Sequence, residues 1–436
     1  MAEDLNLRRN VVYAIAEFGI GIALLFLSYR LIIWQGGLAA LGLWSTLYAW
    51  TTLIRVGDVG MASTTMRFVA LHDVRSAPDR VAEYLETGLI SQAVIHLILA
   101  IVGYFCLSPI IGTIVGAEHR AEAEAVLPFL FCGFVLMNVS GAVLGGLQGL
   151  HLGYVRSQLS VFGTFLQLVG VVLLVPHLQL VGLAVAQIVQ HAVVGFVGWL
   201  LLRRYGGSRN WLPQRFSRLA FYEMLRFSLG AQVVNTATGL FEPLSKMLVG
   251  AFAGLHVLGL YELAYKTVLL PRNTVVAGIS ASVPAMSRLL ATDRELAYAL
   301  YRKSVRRSTL AMAGVGLLLV VAAPVASLLM TSAIEPTYLW FCAILFVGAL
   351  VNTNGAAAYS LGLASALFGG NIVVSLAALG LLVGLGIGLG TIMPIYGVVL
   401  SAAAGLALIG IGGRVLNEKI VFKQVGVQRE ATKLWL

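Results

Sequence analysis

The chain has 436 residues, 59% of them hydrophobic and only 11% charged, where ordinary soluble domains carry about 25% charged residues. That much apolar surface cannot be hidden inside a water-soluble core, so a soluble globular enzyme is excluded. The net charge of +10 is expected to sit in loops beside an anionic membrane leaflet, not on nucleic acid.

Apolar stretches of about 20 residues recur along the chain, each long enough to cross a hydrocarbon core of about 30 Å as a helix. Period-2 alternation is absent, so the pattern predicts helices and not a barrel. The runs and their breaks place helices at 10–34, 38–70, 85–115, 126–148, 158–176, 179–202, 226–252, 255–288, 308–330, 337–360, 370–392 and 394–413. The first carries Glu17 and Arg30 and no cleavage pattern follows it, which predicts a retained helix and not a signal peptide. Residues 203–225 and 288–307 are polar but too short to fold as domains.

With the N-terminus in the cytoplasm, the inside segments hold 23 of the 29 Lys and Arg residues, including six from Arg203 to Arg226 and six from Arg288 to Arg307. The outside loops hold Arg120 alone, beside Glu118, Glu122 and Glu124. This asymmetry predicts both termini inside. Residues 337–413 contain no charge at all. There parity decides: a chain outside near Glu335 and inside at Arg414 crosses an odd number of times, and 77 residues suit three helices.

Cys106, Cys132 and Cys342 fall in separate spans without metal-ligand spacing, so they are expected to be packing residues. No Lys follows a Gly, so the phosphate-cradling loop of ATPases is missing. The alternating Gly384, Gly386, Gly388 and Gly390 predict close helix packing. Nothing in the sequence asks for a cofactor or a metal, or points to catalysis.

Sliding the chain against itself by 217 residues aligns 27–55 with 244–272 without a gap and gives 11 identities in 29 positions, among them Ser28/Ser245, Gly37/Gly254, Tyr48/Tyr265 and Arg55/Arg272. The match pairs the first two predicted helices with the seventh and eighth. Six helices per repeat is an even number, so both halves enter the membrane in the same orientation. The expected fold class is all-α integral membrane, about twelve transmembrane helices in two parallel six-helix lobes around a central cavity. The division is 1–202 for the first lobe, 203–225 for a cytoplasmic linker, 226–413 for the second lobe and 414–436 for a tail.

Nine ionisable residues remain inside spans: Glu17, Arg30, Arg55, Asp58, Glu242, Lys246, Glu262, Lys266 and Arg272. At about 2.5 to 3.5 kcal/mol each they oppose insertion unless something offsets them. Local pairing offers one answer: Arg55 and Asp58 are i,i+3, while Glu242/Lys246 and Glu262/Lys266 are i,i+4 in the favourable order. Glu17 and Arg30 have a second route, reaching the headgroups from opposite ends of their helix. Placement supplies the functional reading, because all nine lie in the four repeat-related helices. Five positive charges against four negative suit an anionic ligand. His96 in the third helix reads as a packed polar residue or a proton relay.

The sequence resembles the multidrug/oligosaccharidyl-lipid/polysaccharide exporter superfamily, in particular its bacterial polysaccharide (O-antigen type) flippases. The resemblance rests on Leu41-Gly42-Leu43-Trp44, on Asp58-Val59-Gly60 followed by Arg67, on Leu258-Gly259-Leu260-Tyr261 and on Pro284-Ala285-Met286-Ser287. It implies a flippase that moves undecaprenyl-diphosphate-linked oligosaccharide across a bacterial cytoplasmic (inner) membrane by alternating access, for lipopolysaccharide, capsule or exopolysaccharide synthesis. The partners implied are the lipid-linked oligosaccharide, membrane lipids, a polysaccharide polymerase and glycosyltransferases. By position it suggests Arg30, Arg55 and Arg272 as substrate-binding residues; the placement of the other intramembrane charges adds Lys246 and Lys266 to that set and gives Glu17, Asp58, Glu242 and Glu262 as coupling residues. The rivals are a drug or organic-cation antiporter of the same superfamily, for which an acidic excess is expected, and a non-transporting scaffold, against which the clustered charges speak.

Overall fold

The computed structural model describes residues 2–58, 60–72, 74, 76–206, 211–280, 283–365 and 369–422. Among these the chain forms thirteen α-helices and no strand: α1 (Ala2–Ile54), α2 (Met61–Ala70), α3 (Pro78–Leu107), α4 (Ile111–Val115), α5 (Arg120–Gly149), α6 (Gly153–Gly206), α7 (Arg218–Gly239), α8 (Phe241–Ser280), α9 (Val283–Thr292), α10 (Arg294–Thr331), α11 (Pro336–Ala364), α12 (Gly369–Ile392) and α13 (Gly397–Phe422). Large apolar side chains stay on the outside, as with Leu317, Leu318, Val320 and Val321 of α10, which marks a surface solvated by lipid.

Nine helical segments among the described residues are long and apolar enough to cross a membrane. The segments in α1, α6 and α8 are too long for one crossing. A straight 54-residue helix such as α6 would measure about 80 Å. Each is broken once, at Gly37, Gln179 and Gly254, and counting each as two crossings brings the chain to about twelve. The reversals are visible in short contacts between residues far apart in sequence. A Cβ on Gly182 would lie 2.6 Å from the backbone of Leu174, although eight residues of straight helix separate two positions by about 12 Å. Likewise the Tyr261 hydroxyl donates to Ser245 Oγ at 2.9 Å, across sixteen residues that would span about 24 Å of straight helix.

Gly37 (φ 71°, ψ −175°) and Gly254 (φ 81°, ψ 173°) stand 217 residues apart, at the offset of the sequence repeat. Both occupy a backbone region that is essentially closed to other residues. The repeat is therefore present in the backbone as well as in the sequence. The three crossings required by parity after Glu335 are α11, α12 and α13.

Two compact units divide the chain at Met1–Val233 and Val234–Leu436. In the first, Val69, Leu85, Leu89, Val143, Leu147, Trp199 and Leu202 form a buried core. In the second, α11 and α13 touch backbone to backbone where Gly348 meets Ala403 and Gly355 meets Gly410, the small-residue packing that lets helices approach in lipid. Of the four alternating glycines of α12, Gly386 packs on Leu248 and Gly390 on Phe252, while Gly384 and Gly388 have open space.

Both neighbouring helices extend into the region 203–225. Helix α6 runs on to Gly206, and α7 already begins at Arg218, eight residues before the predicted start. Between them, residues 211–217 lie against the first unit. Trp199 Nε1 donates to the carbonyl of Trp211 at 2.7 Å, and the Arg203 guanidinium covers the Trp211 ring at 4.2 Å. The Glu86 carboxylate, 0% exposed, accepts the backbone N–H groups of Gln214 and Arg215, both at 2.8 Å.

Candidate functional site

The densest polar site of the second unit is built by the hairpin of α8. Its first arm carries Glu242 and Lys246 one turn apart, and its second carries Glu262 and Lys266. Folding at Gly254 brings the arms together, so that Lys246 Nζ sits 2.6 Å from Glu242 Oε1 and 2.6 Å from Glu262 Oε2, while Lys266 Nζ sits 2.7 Å from Glu242 Oε1. Only one of the two expected i,i+4 pairs is close, since Lys266 is 4.0 Å from Glu262. The dominant contacts run across the hairpin. Lys246 and Glu262 are enclosed, with side chains 4% and 3% exposed. The ring of Tyr265 lies 5.8 Å from Lys246 and 5.9 Å from Lys266, within the range of a cation–π attraction. Two carboxylates and two ammoniums balance, which answers the insertion cost of four charges without any ligand.

Arg272 lies on the same arm, next to Pro271, toward the cytoplasmic end of the expected topology. Its Nη2 donates to Asn352 Oδ1 of α11 and its Nη1 to Asn273 Oδ1 at 3.0 Å. Asn352 is held in turn by donating to the carbonyl of Leu406 at 2.9 Å. The third donor, Nε, is buried without an acceptor. A guanidinium fixed by two amides with its Nε–H to spare is a suitable anchor for an oxyanion. Five residues earlier on the same arm, the hydroxyls of Thr267 and Tyr338 share a bond of 2.9 Å.

The first unit treats its charges differently. Glu17 meets Arg156 of α6 at 3.3 Å, so it is held by a protein partner where the sequence suggested the headgroups. Arg30 is half-buried. Arg55 opens a short 3-10 turn, Arg55–Gly57, and is exposed. Asp58 does not turn back to it as the i,i+3 pairing predicted. Its Oδ1 accepts the N–H of Gly60 at 3.0 Å and its Oδ2 lies 3.8 Å from His96 Nε2 of α3. The helix is interrupted here, because α1 ends at Ile54 and α2 starts at Met61 behind Gly60, which has φ 69°.

The expected residues fall into two groups that belong to different units. The nine are not the whole set. Glu86 lies inside the predicted third span and is fully buried, so ionisable residues are not confined to the four repeat-related helices. Its position at the end of an apolar run was the available signal. Among the described residues no group of three or more His, Cys, Asp or Glu is placed to hold a metal.

A model of the family described as polysaccharide biosynthesis protein matches residues 11–290. No curated protein matches the chain. Solved structures give its fold. The inward-facing form of a multidrug resistance MATE family transporter of the MOP superfamily is 15% identical, with 95% of this chain and 99% of that chain covered and a TM-score of 0.78. A MOP superfamily transporter from Pyrococcus furiosus, reported for the reverse polarity of its binding pocket, is 16% identical with 94% and 95% covered and a TM-score of 0.68. An outward-facing MATE form is 16% identical with 95% and 96% covered and a TM-score of 0.66. The chain therefore has the architecture of these multi-pass membrane transporters.

Proposed function

The chain belongs to the polysaccharide biosynthesis protein family, and from that premise we propose that it is a flippase carrying a polyprenyl-diphosphate-linked oligosaccharide across the bacterial cytoplasmic membrane. The observation that carries the reading is the extent of the family match: residues 11–290 include all nine ionisable positions picked out from the sequence. The distribution of basic loops supports cytoplasmic termini. The substrate comes from glycosyltransferases on the inner face and passes to a polymerase on the outer one. Its diphosphate is held by arginines and its sugars by polar side chains, while the prenyl tail stays in lipid.

Lys246 is closed in by two carboxylates, so within the second unit we assign the diphosphate contact to Arg272, whose Nε is unused; within the first unit the basic residue open to a ligand is Arg55, which is exposed. Arg30 contributes as a secondary contact. A drug or organic-cation antiporter would need an acidic excess that the balanced α8 network does not supply.

The test is reconstitution in liposomes, with a fluorescent undecaprenyl-diphosphate sugar and a cationic dye compared side by side. Wild type is expected to move the lipid and leave the dye. Each charge-assisted hydrogen bond to phosphate contributes about 1.5 to 3 kcal/mol, so Arg272→Ala should lose about tenfold to a hundredfold in transport at normal protein levels, and Arg272→Lys should restore only part of it. Dye efflux without lipid movement would reject the proposal.

A further inference from the structure

The break between α1 and α2 holds a pair of side chains whose hydrogen bonds do not add up. His96 is 0% exposed, and its Nδ1 lies 2.9 Å from the backbone carbonyl of Gln92. A carbonyl only accepts, so that bond requires the proton on Nδ1. In the neutral ring Nε2 is then a bare lone pair, and it faces the Asp58 carboxylate, which also only accepts, at 3.8 Å. That separation is too long for a hydrogen bond. Consistently, Nε2 of His96 has no hydrogen-bond partner, and the side-chain oxygen of Gln92 one turn away is also buried and unpaired. Two acceptors facing each other in a buried, low-dielectric setting lack one thing, a proton between them.

We propose that Asp58 and His96 form a one-proton binding site at the interrupted second transmembrane helix, and that its occupancy couples the first unit to the proton gradient. Protonation places the proton from water on the Nε2 lone pair, giving an imidazolium beside a carboxylate. The return step releases the same proton to water, and no other bond is made or broken. A charge-assisted N–H to carboxylate bond spans about 2.7 to 2.9 Å, so occupancy draws Asp58 and α3 together by about 1 Å. Asp58 is placed to transmit that movement, because its other oxygen holds the N–H of Gly60 at the start of α2. Helix α2 is in turn packed by its backbone against Gly145 and Gly149 of α5. The charged groups acting on His96 are Asp58 and Arg55, both from the interruption itself. From α5 the neighbour is the Phe134 ring, 5.4 Å away, and Gln232 of α7 stands near Gly60. The pair therefore exchanges its proton against one carboxylate and one exposed guanidinium.

The experiment is 15N NMR of the full chain labelled at its seven histidines in lipid, from about pH 5 to pH 9, with His96→Gln assigning the signal. At high pH His96 should show the Nδ1–H tautomer, and on acidification it should become an imidazolium. In Asp58→Asn the midpoint should fall by about one pH unit, a tenfold loss of proton affinity. An Nε2–H tautomer in wild type, the absence of a titration in this range, or an unchanged midpoint in Asp58→Asn overturns the site. The tautomer is read on wild type and so decides even if the variant does not accumulate. Only the coupling rests on the flippase reading. In liposomes an imposed pH gradient should speed lipid movement in wild type and not in His96→Gln. If wild type moves no lipid at all, the flippase reading fails while the titration still judges the proton site.

Discussion

The hairpins of α1 and α8 share one backbone and differ in chemistry. Both reverse at a glycine held at positive φ, Gly37 and Gly254, and both keep the same tyrosine, Tyr48 or Tyr265. Yet where the second unit has Glu242, Lys246, Glu262 and Lys266, the first has Leu25, Tyr29, Ser45 and Ala49. Tyr29 and Ser45 are buried, as are their charged counterparts Lys246 and Glu262. A four-charge network is thus not needed to build the hairpin. What the fold requires is the glycine reversal, and what fills the interior is free to diverge, so the charges of α8 call for a reason other than folding.

The largest expected effect separates the two hairpins. Lys246→Met leaves buried carboxylates without their shared cation and should cost about 3 to 5 kcal/mol, measured as thermal unfolding in detergent. Tyr29→Phe, at the matching position, should cost less than about 1.5 kcal/mol. Replacing all four charges with the residues of the first unit removes both signs together, and that variant should unfold later than Lys246→Met. If Lys246→Met is as stable as wild type, the network is not the closed ionic unit described.

A middle-sized effect tests what the hairpins share. Nothing lies within 4 Å of a Cβ built on Gly37 or Gly254, so an alanine there meets no clash and feels backbone strain alone. Gly37→Ala and Gly254→Ala should each cost about 1 to 3 kcal/mol, and by similar amounts. A loss at only one of them would break the equivalence of the two reversals.

The smallest effect concerns a feature of one unit only. Glu86 binds two backbone N–H groups, while 217 residues further on stands Lys303, exposed. Glu86→Gln keeps an acceptor and loses the charge, and should weaken protection of residues 211–217 in hydrogen exchange by about 1 kcal/mol. Lys303→Gln should change protection by less than about 0.5 kcal/mol anywhere.

The helical architecture was legible because lipid imposes it: run length, basic loops and parity each constrain the same crossings, and parity alone found the three helices after Glu335. Gly37 and Gly254 were visible as a match, though not as a reversal, because φ leaves no mark on a lone sequence beyond the glycine itself. Side-chain partners were less legible. The i,i+4 rule considers one helix, and it could not foresee that folding at Gly254 sets Lys266 beside Glu242, 24 positions away. For Asp58 the nearest cation in sequence was Arg55, but the interruption of the helix turns its carboxylate toward His96. Glu86 escaped because its partners are backbone groups, which no residue pattern encodes.

The docking of residues 211–217 removes slack from the chain. A free segment of 23 residues, as 203–225 would be, behaves as a loose string with an end-to-end distance of about 25 to 30 Å that fluctuates widely. Residues 211–217, bound to Glu86, have no such freedom. The covalent path continues as α7, a 22-residue helix about 33 Å long that carries the division at Val233 and Val234 within its length. The start of α7 at Arg218, one residue past the docked segment, is therefore held at a fixed point of the first unit.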